Sequence, residues 1–268
     1  MPVDMAALAA DLAAESAVTR ALVVGLDEAG WHTPTPAVGW DIADQIGHLA
    51  YFDEAAVRSA VHPDEFRAEL AAAAASGDLD ADTIAARYRD RSGAQMLAWF
   101  DTARADLLQT FTTLDPRQRL PWFGPPMSAA SSLTARLMET WAHTQDIADA
   151  LGVTREPTGR LRHVAHIGIG ARAYSYAARG LTVPDTPVRV ELTAPDGTRW
   201  TWGPEDATDR ITGPALDFCL LVTQRRHRHD LALTVAGPAA RQWMAIAQAF
   251  AGPPGPGRLP TRKPPADD

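Results

Sequence analysis

Cysteine is nearly absent from this chain of 268 residues: Cys219 is the single one, so no disulfide can form within it. A reducing cytoplasm is the setting that composition suits. Lysine is as scarce, Lys263 standing alone among 25 basic residues. A chain so weighted to Arg, Ala, Gly and Pro points to GC-rich coding, a hint about the source genome and not about the fold. No basic face is present either. The net charge is −8, which excludes a nucleic-acid footprint, and the one dense basic run, Arg225-Arg226-His227-Arg228-His229, is short and flanked by apolar sequence. No apolar run approaches the length that spans a bilayer. The first residues carry Asp4, Asp11 and Glu15 with no basic stretch, so no secretory signal is expected there. What these absences leave is a cytoplasmic protein whose partner is a small molecule, with its oligomeric state open.

Helical periodicity is what the chain does have. Residues 4–29 carry Leu8, Leu12, Val18, Leu22 and Leu26 at helical spacing, with Gly30 as the stop. Thr33-Pro34-Thr35-Pro36 cannot continue a helix. Asp41 caps a second helix through Ile42, Ile46, Leu49, Phe52 and Ala56, which His62-Pro63 breaks. A short Ala-rich helix over 64–76 ends near Gly77. The spacing of Ile84, Tyr88, Met96, Trp99, Leu107 and Phe111 predicts one long helix from about Ala81 to Thr113. Leu120 to Pro126 is a loop of prolines and aromatics, and Ser128 to Leu151 a further helix stopped by Gly152.

Four substantial helices on short connectors predict a four-helix bundle over residues 1–152. A connecting helix is expected over 153–182. From 183 to 252 the texture becomes that of a small α+β domain: alternating Val188–Leu192, an Asp196-Gly197 turn, a return strand Arg199–Trp202, a helix from Gly213 to Thr223, a strand within Asp230–Val235 and a last helix from Gly237 to Phe250. Residues 253–268, rich in Pro, Gly and charge, read as a disordered tail. The fold class is mainly α.

Chemistry concentrates in Glu139-Thr140-Trp141-Ala142-His143. A carboxylate and an imidazole four residues apart share one helix face and can hold two corners of a divalent metal. The third ligand expected is His48, in Asp41-Ile42-Ala43-Asp44-Gln45-Ile46-Gly47-His48-Leu49. Taken singly, each has a plainer role: Glu139 and His143 as a solvated pair, His48 as a histidine at the core edge bonded to a carbonyl. Asp146 lies on the same stripe, where it either orients a ligand or is a solvated charge. Trp40, Phe52, Trp122, Phe123 and Trp141 can line an apolar pocket or simply fill the core. Cys219, within Leu216–Leu221, reads as packing.

Two segments carry a family resemblance. Val38-Gly39-Trp40 through His48-Leu49 resembles the Trp-then-His element that opens the second helix in the DinB-like superfamily. Glu139 through Asp146 resembles the second metal-binding element of its mycothiol-dependent maleylpyruvate isomerase branch. Gly213–Cys219 through Gln248–Gly252 resembles the small α+β domain which that branch appends. The resemblance implies a four-helix bundle holding a divalent metal through His48, Glu139 and His143. Zinc is the usual ion, and nickel tolerates the same ligands. It further implies an open coordination position, mycothiol as cosubstrate, and an assisting arginine from the second domain, for which Arg225 and Arg226 are the candidates.

Three functions are then in play. A metal-bound mycothiol thiolate can add to a small electrophile, giving isomerisation or thiol transfer. The same metal without a thiol can serve elimination, rearrangement, cyclisation or hydrolysis in a biosynthetic pathway. A bundle that merely binds metal can serve sensing or stress. The long segment Pro63 to Asp82 and the loop Leu120 to Pro126 depart from the isomerase pattern, so the reaction itself does not carry over.

Overall fold

A computed structural model describes residues 3–76, 80–255 and 257–261. The chain divides into two compact units, Met1–Arg155 and Glu156–Asp268.

The first unit is built from α1 (Met5–Val23), α2 (Glu28–Trp31), α3 (Ile42–Val61), α4 (Pro63–Ser76), α5 (Ala81–Ala86), α6 (Gly93–Phe111) and α7 (Ala129–Ala150), with a two-stranded hairpin of β1 (Arg119–Leu120) and β2 (Met127–Ser128) before α7. Helices α1, α3, α6 and α7 form the bundle: α3 packs on α6 and α7, and α1 on α7 and α6. The apolar stripe of α3 drives this, Ile42, Ile46, Leu49 and Ala50 being fully buried against Met96, Phe100 and Ala103 of α6. Among the described residues no helix is long and apolar enough to cross a membrane.

Two expectations for this unit are corrected. The first helix ends at Val23, because Asp27 starts a new one: its carboxylate accepts from Gly30 N at 2.8 Å. The long helix over 81–113 is two helices, α5 and α6. Ser92 and Gln95 form a capping box at the start of α6, each side chain bonding the other's backbone N–H, so the apolar spacing continues while the helix does not. Trp31 fills the space beside this break; a Cβ on Gly93 would stand 2.2 Å from its ring. Gly77, expected to end α4, lies outside the described residues.

The second unit holds α8 (Leu161–Gly170), α9 (Arg172–Ala177), β3 (Val188–Thr193), β4 (Arg199–Trp202), β5 (Asp209–Pro214), α10 (Ala215–Val222), β6 (Thr234–Ala236) and α11 (Pro238–Ile246). The sheet runs β4-β3-β5-β6, with β3 and β5 parallel and the other pairs antiparallel. Val190, Leu192 and Ile211 alternate inward beneath α10. Where one connecting helix was expected over 153–182, α8 and α9 stand, and both pack within this unit, on α10 and α11. Strand β5 has no counterpart in the sequence reading, and the helix expected from Gly213 begins only at Ala215. The expected tail contains no helix or strand in residues 253–255 and 257–261; residues 256 and 262–268 lie outside the described residues.

Candidate functional site

Helices α3 and α7 position the site, and both have fixed ends. At the start of α3 the Asp41 carboxylate accepts from Asp44 N at 2.9 Å, and the Asp44 carboxylate from Asp41 N at 3.2 Å. Arg89 grips the same Asp44 with two bonds of 3.0 Å. One turn on come Gln45, His48 and Phe52, on one helix face. At the far end of α7, Gly152 adopts φ +66°, which lets Val153 N reach back to Ala148 O at 2.8 Å. Glu139 and His143 stand one turn apart in its middle.

The three expected ligands come together. One donor atom from each of His48, Glu139 and His143 lies within 4.8 Å of the others, and among the described residues this is the one group of three or more such side chains that does so. Glu139 Oε2 is 3.2 Å from His143 Nε2 and 3.8 Å from His48 Nε2. The two imidazole rings are 4.3 Å apart between centroids. His143 is buried while His48 and Glu139 are half-buried, so the cluster sits at the edge of the bundle rather than sealed within it.

The group combines a neutral imidazole with an ionised carboxylate. Burial, and then the neighbouring His143, push His48 down to about 3, so its imidazole is neutral at physiological pH. Burial works to raise Glu139, but the neighbouring His143 and His48 outweigh that and hold the carboxyl well below the usual range. His48 Nδ1 is buried with no hydrogen-bond partner.

Aromatic rings wall the cluster. Trp40 lies 5.4 Å from the His48 ring and 6.0 Å from that of His143, and its indole N–H is anchored to Asp82 at 2.6 Å. Phe52 packs on His48 at 4.6 Å. From Phe52 the contacts run to Trp122 and Phe123 of the β1–β2 hairpin, and from these to Phe66 of α4. Trp141 is not part of this wall: two residues from each candidate donor of α7, it faces the other side, with the Arg155 guanidinium over its ring at 5.5 Å. Asp146 is buried one turn past His143. Arg225 and Arg226 belong to the second unit, where each donates to a nearby carbonyl, of Thr223 and Arg225 respectively, at 2.7 Å.

Two features escaped the sequence. Gln45 accepts from His143 Nδ1, and its own amide nitrogen donates to Thr35 Oγ1 at 2.9 Å. Near the ligands on the same helices lies a buried ion network. Asp53 accepts from Arg104 Nε of α6 at 2.6 Å and from Arg136 Nε of α7 at 2.8 Å. Arg104 also reaches Ser16 of α1 and Thr140 of α7, and Arg136 reaches the Leu49 carbonyl at 3.1 Å. Three helices thus meet on one carboxylate, and α1 joins them through Arg104, a network that no periodicity announces.

The family model of the mycothiol maleylpyruvate isomerase N-terminal domain matches residues 12–148, which include all three ligand candidates. A second family model, wyosine base formation, matches residues 184–234. An uncharacterized protein of Mycobacterium tuberculosis (strain ATCC 25618 / H37Rv) is 48% identical over 255 residues, covering 95% of this chain and 99% of that protein. Its counterpart in strain CDC 1551 / Oshkosh is similar to the same extent. A crystal structure of the mycothiol-dependent maleylpyruvate isomerase superposes with a TM-score of 0.57 at 16% identity, over 89% of this chain and 96% of that one. A histidine-to-alanine mutant of that enzyme gives 0.55 at 15%, over 83% and 90%. At such identities the likeness is one of fold.

Proposed function

This chain belongs to the mycothiol maleylpyruvate isomerase N-terminal domain family, with a DinB-like bundle followed by a small α+β unit, and we propose that it is a divalent-metal enzyme using mycothiol on a small electrophilic metabolite, in isomerisation or thiol transfer. One observation carries the reading: three donor atoms from two helices converge at the bundle edge, with His48 held neutral and Glu139 ionised. That donor set suits zinc and tolerates nickel.

A divalent metal held by His48, Glu139 and His143 would supply a Lewis acid able to lower the pKa of a thiol toward neutral pH. The chain's own residues do the remainder. Gln45 and Glu139 hold the His143 ring between them. Trp40 and Phe52 screen His48 from water. The rings of Trp122 and Phe123 offer an apolar surface to a substrate's carbon skeleton. In isomerisation the thiolate sulfur adds to one carbon of a conjugated double bond. Rotation about the new single bond and expulsion of the thiolate then give the other geometric isomer and return the thiol.

Protein purified without a His tag is expected to hold or take up one Zn²⁺ per chain by elemental analysis, and His48→Ala and Glu139→Ala to lose it. Wild-type protein that takes up neither Zn²⁺ nor Ni²⁺ would sink the metal reading. Mycothiol titrated calorimetrically into zinc-loaded protein should bind; no heat at millimolar thiol would remove the thiol half.

A further inference from the structure

We infer that Gln45 is a positioning residue for this site: it presets His143 in the tautomer that ligates a metal, and leaves His48 as the ligand that must adapt. This role deepens the metal reading above and presupposes it for its purpose, though not for its geometry. The geometry is a hydrogen-bond chain whose direction is set at one end. The Trp40 carbonyl can only accept, and Thr35 Oγ1 donates to it at 2.9 Å, using the one proton that hydroxyl has. Thr35 Oγ1 must therefore accept from Gln45, whose Nε2 lies 2.9 Å away. With the amide nitrogen committed, Gln45 Oε1 is the atom that meets His143 Nδ1. An amide oxygen only accepts, so Nδ1 carries the proton, and in a neutral imidazole Nε2 is bare.

Nε2 faces Glu139 Oε2 at 3.2 Å, an approach that requires a cation between them, either a proton or a metal ion. Gln45 itself is fully buried, on a helix stripe shared with Ile42, Ile46 and Leu49. An amide in such surroundings is disfavoured unless its bonds are made, and the bonds it makes are these two.

His48 lacks an equivalent. Its Nδ1 has no partner, and its Nε2 lies 3.8 Å from the Glu139 carboxylate. Without metal, the proton of His48 is best placed on Nε2, toward that negative charge. Ligation through the same nitrogen requires the proton to move. The two imidazoles thus differ in preparation although they are the same residue type.

Long-range ¹H–¹⁵N spectra of metal-free, ¹⁵N-histidine-labelled protein read each ring's tautomer directly. His143 is expected to show the Nδ1–H pattern in wild type and in Gln45→Glu, whose carboxylate still accepts, and to lose it in Gln45→Leu. Thr35→Val, a loop change that leaves the helix untouched, should free the Gln45 amide to flip and give a mixture. Zinc affinity measured by chelator competition should fall about 10–100-fold in Gln45→Leu, the usual consequence of removing a ligand's orienting partner, and stay near wild type in Gln45→Glu. An Nε2–H tautomer of His143 in wild type, or an unchanged His143 pattern in both Gln45→Leu and Thr35→Val, would overturn the assignment. Wild-type protein with the Nδ1–H pattern but no zinc uptake would instead retire the metal reading and leave Gln45 as the residue that sets the tautomer.

Discussion

Replacing Asp53 with asparagine keeps its shape and removes the carboxylate between two buried guanidiniums. Arg104 and Arg136 are 4% and 2% exposed and Asp53 is fully buried, so solvent screens none of these charges. Burial already lowers Arg104, with Asp53 the chief influence that restores it. Unit charges about 4 Å apart at an effective dielectric of about 20 attract by about 4 kcal/mol. Asp53→Asn forfeits two such attractions and leaves both guanidiniums desolvated and repelling each other. Water entry and relaxation offset part of this, and breaking a buried pair costs about 3–5 kcal/mol in practice. At about 2–4 °C per kcal/mol for a chain of this size, Tm should fall by about 6–20 °C. Urea unfolding followed by far-UV circular dichroism measures the loss. A triple change, Asp53→Leu with Arg104→Met and Arg136→Met, should be milder than Asp53→Asn alone, because no stranded charge remains. A single mutant within about 0.5 kcal/mol of wild type would refute the reasoning, since the network would then carry no weight in the fold.

Acidification should weaken the metal-free protein through His48. Its folded pKa of about 3 lies below the ordinary 6.5, so between those values the unfolded chain binds the proton and the folded one does not. Stability is therefore full above pH 6.5 and drains as pH falls, by about 2 kcal/mol from pH 7 to pH 5. Glu139, lowered as well, adds its loss only at more acid pH. Thermal melts at pH 7 and pH 5 should show the drop in wild type and a shallower one in His48→Gln; parallel slopes would refute it. Gly93→Ala places a methyl 2.2 Å from the buried Trp31 ring and should lower stability by about 1–3 kcal/mol. Gly159→Ala, with nothing within 4 Å of the added carbon, is the neutral control, and equal urea midpoints for the two would contradict the packing argument.

The ligand candidates were legible because helical spacing is a local rule. Glu139 and His143 had to share a face of α7, and Asp41 announced the start of α3, which fixed where His48 would stand. Gln45 was not legible: its importance lies in the orientation of an amide set by Thr35, in a loop whose path no periodicity describes. The Asp53 network was hidden for a related reason. Its partners are 51 and 83 residues away in sequence, and a lone Asp on a helix reads as a solvated charge until the facing helices are in place. The break between α5 and α6 did leave a local sign, Ser92-x-x-Gln95, but the apolar positions keep helical spacing across it and mask it. Strand β5 pairs in parallel with β3, a non-local choice that its own six residues do not encode.

The candidate donors and most of the ring wall are carried by different kinds of structure. His48, Glu139 and His143 stand on helices keyed to one another by buried polar bonds. Trp122 and Phe123 stand on the turn of a hairpin whose ends are held separately, by the Arg119↔Ser128 and Leu120↔Met127 pairs and by Ser59 Oγ donating to the Pro121 carbonyl at 2.6 Å. Residues 122–125 can therefore be exchanged, lengthened or shuffled without disturbing the spacing of the ligands. Such a chain can change what it recognises while keeping what it does, and a library confined to those four positions is the natural place for selection to act on it.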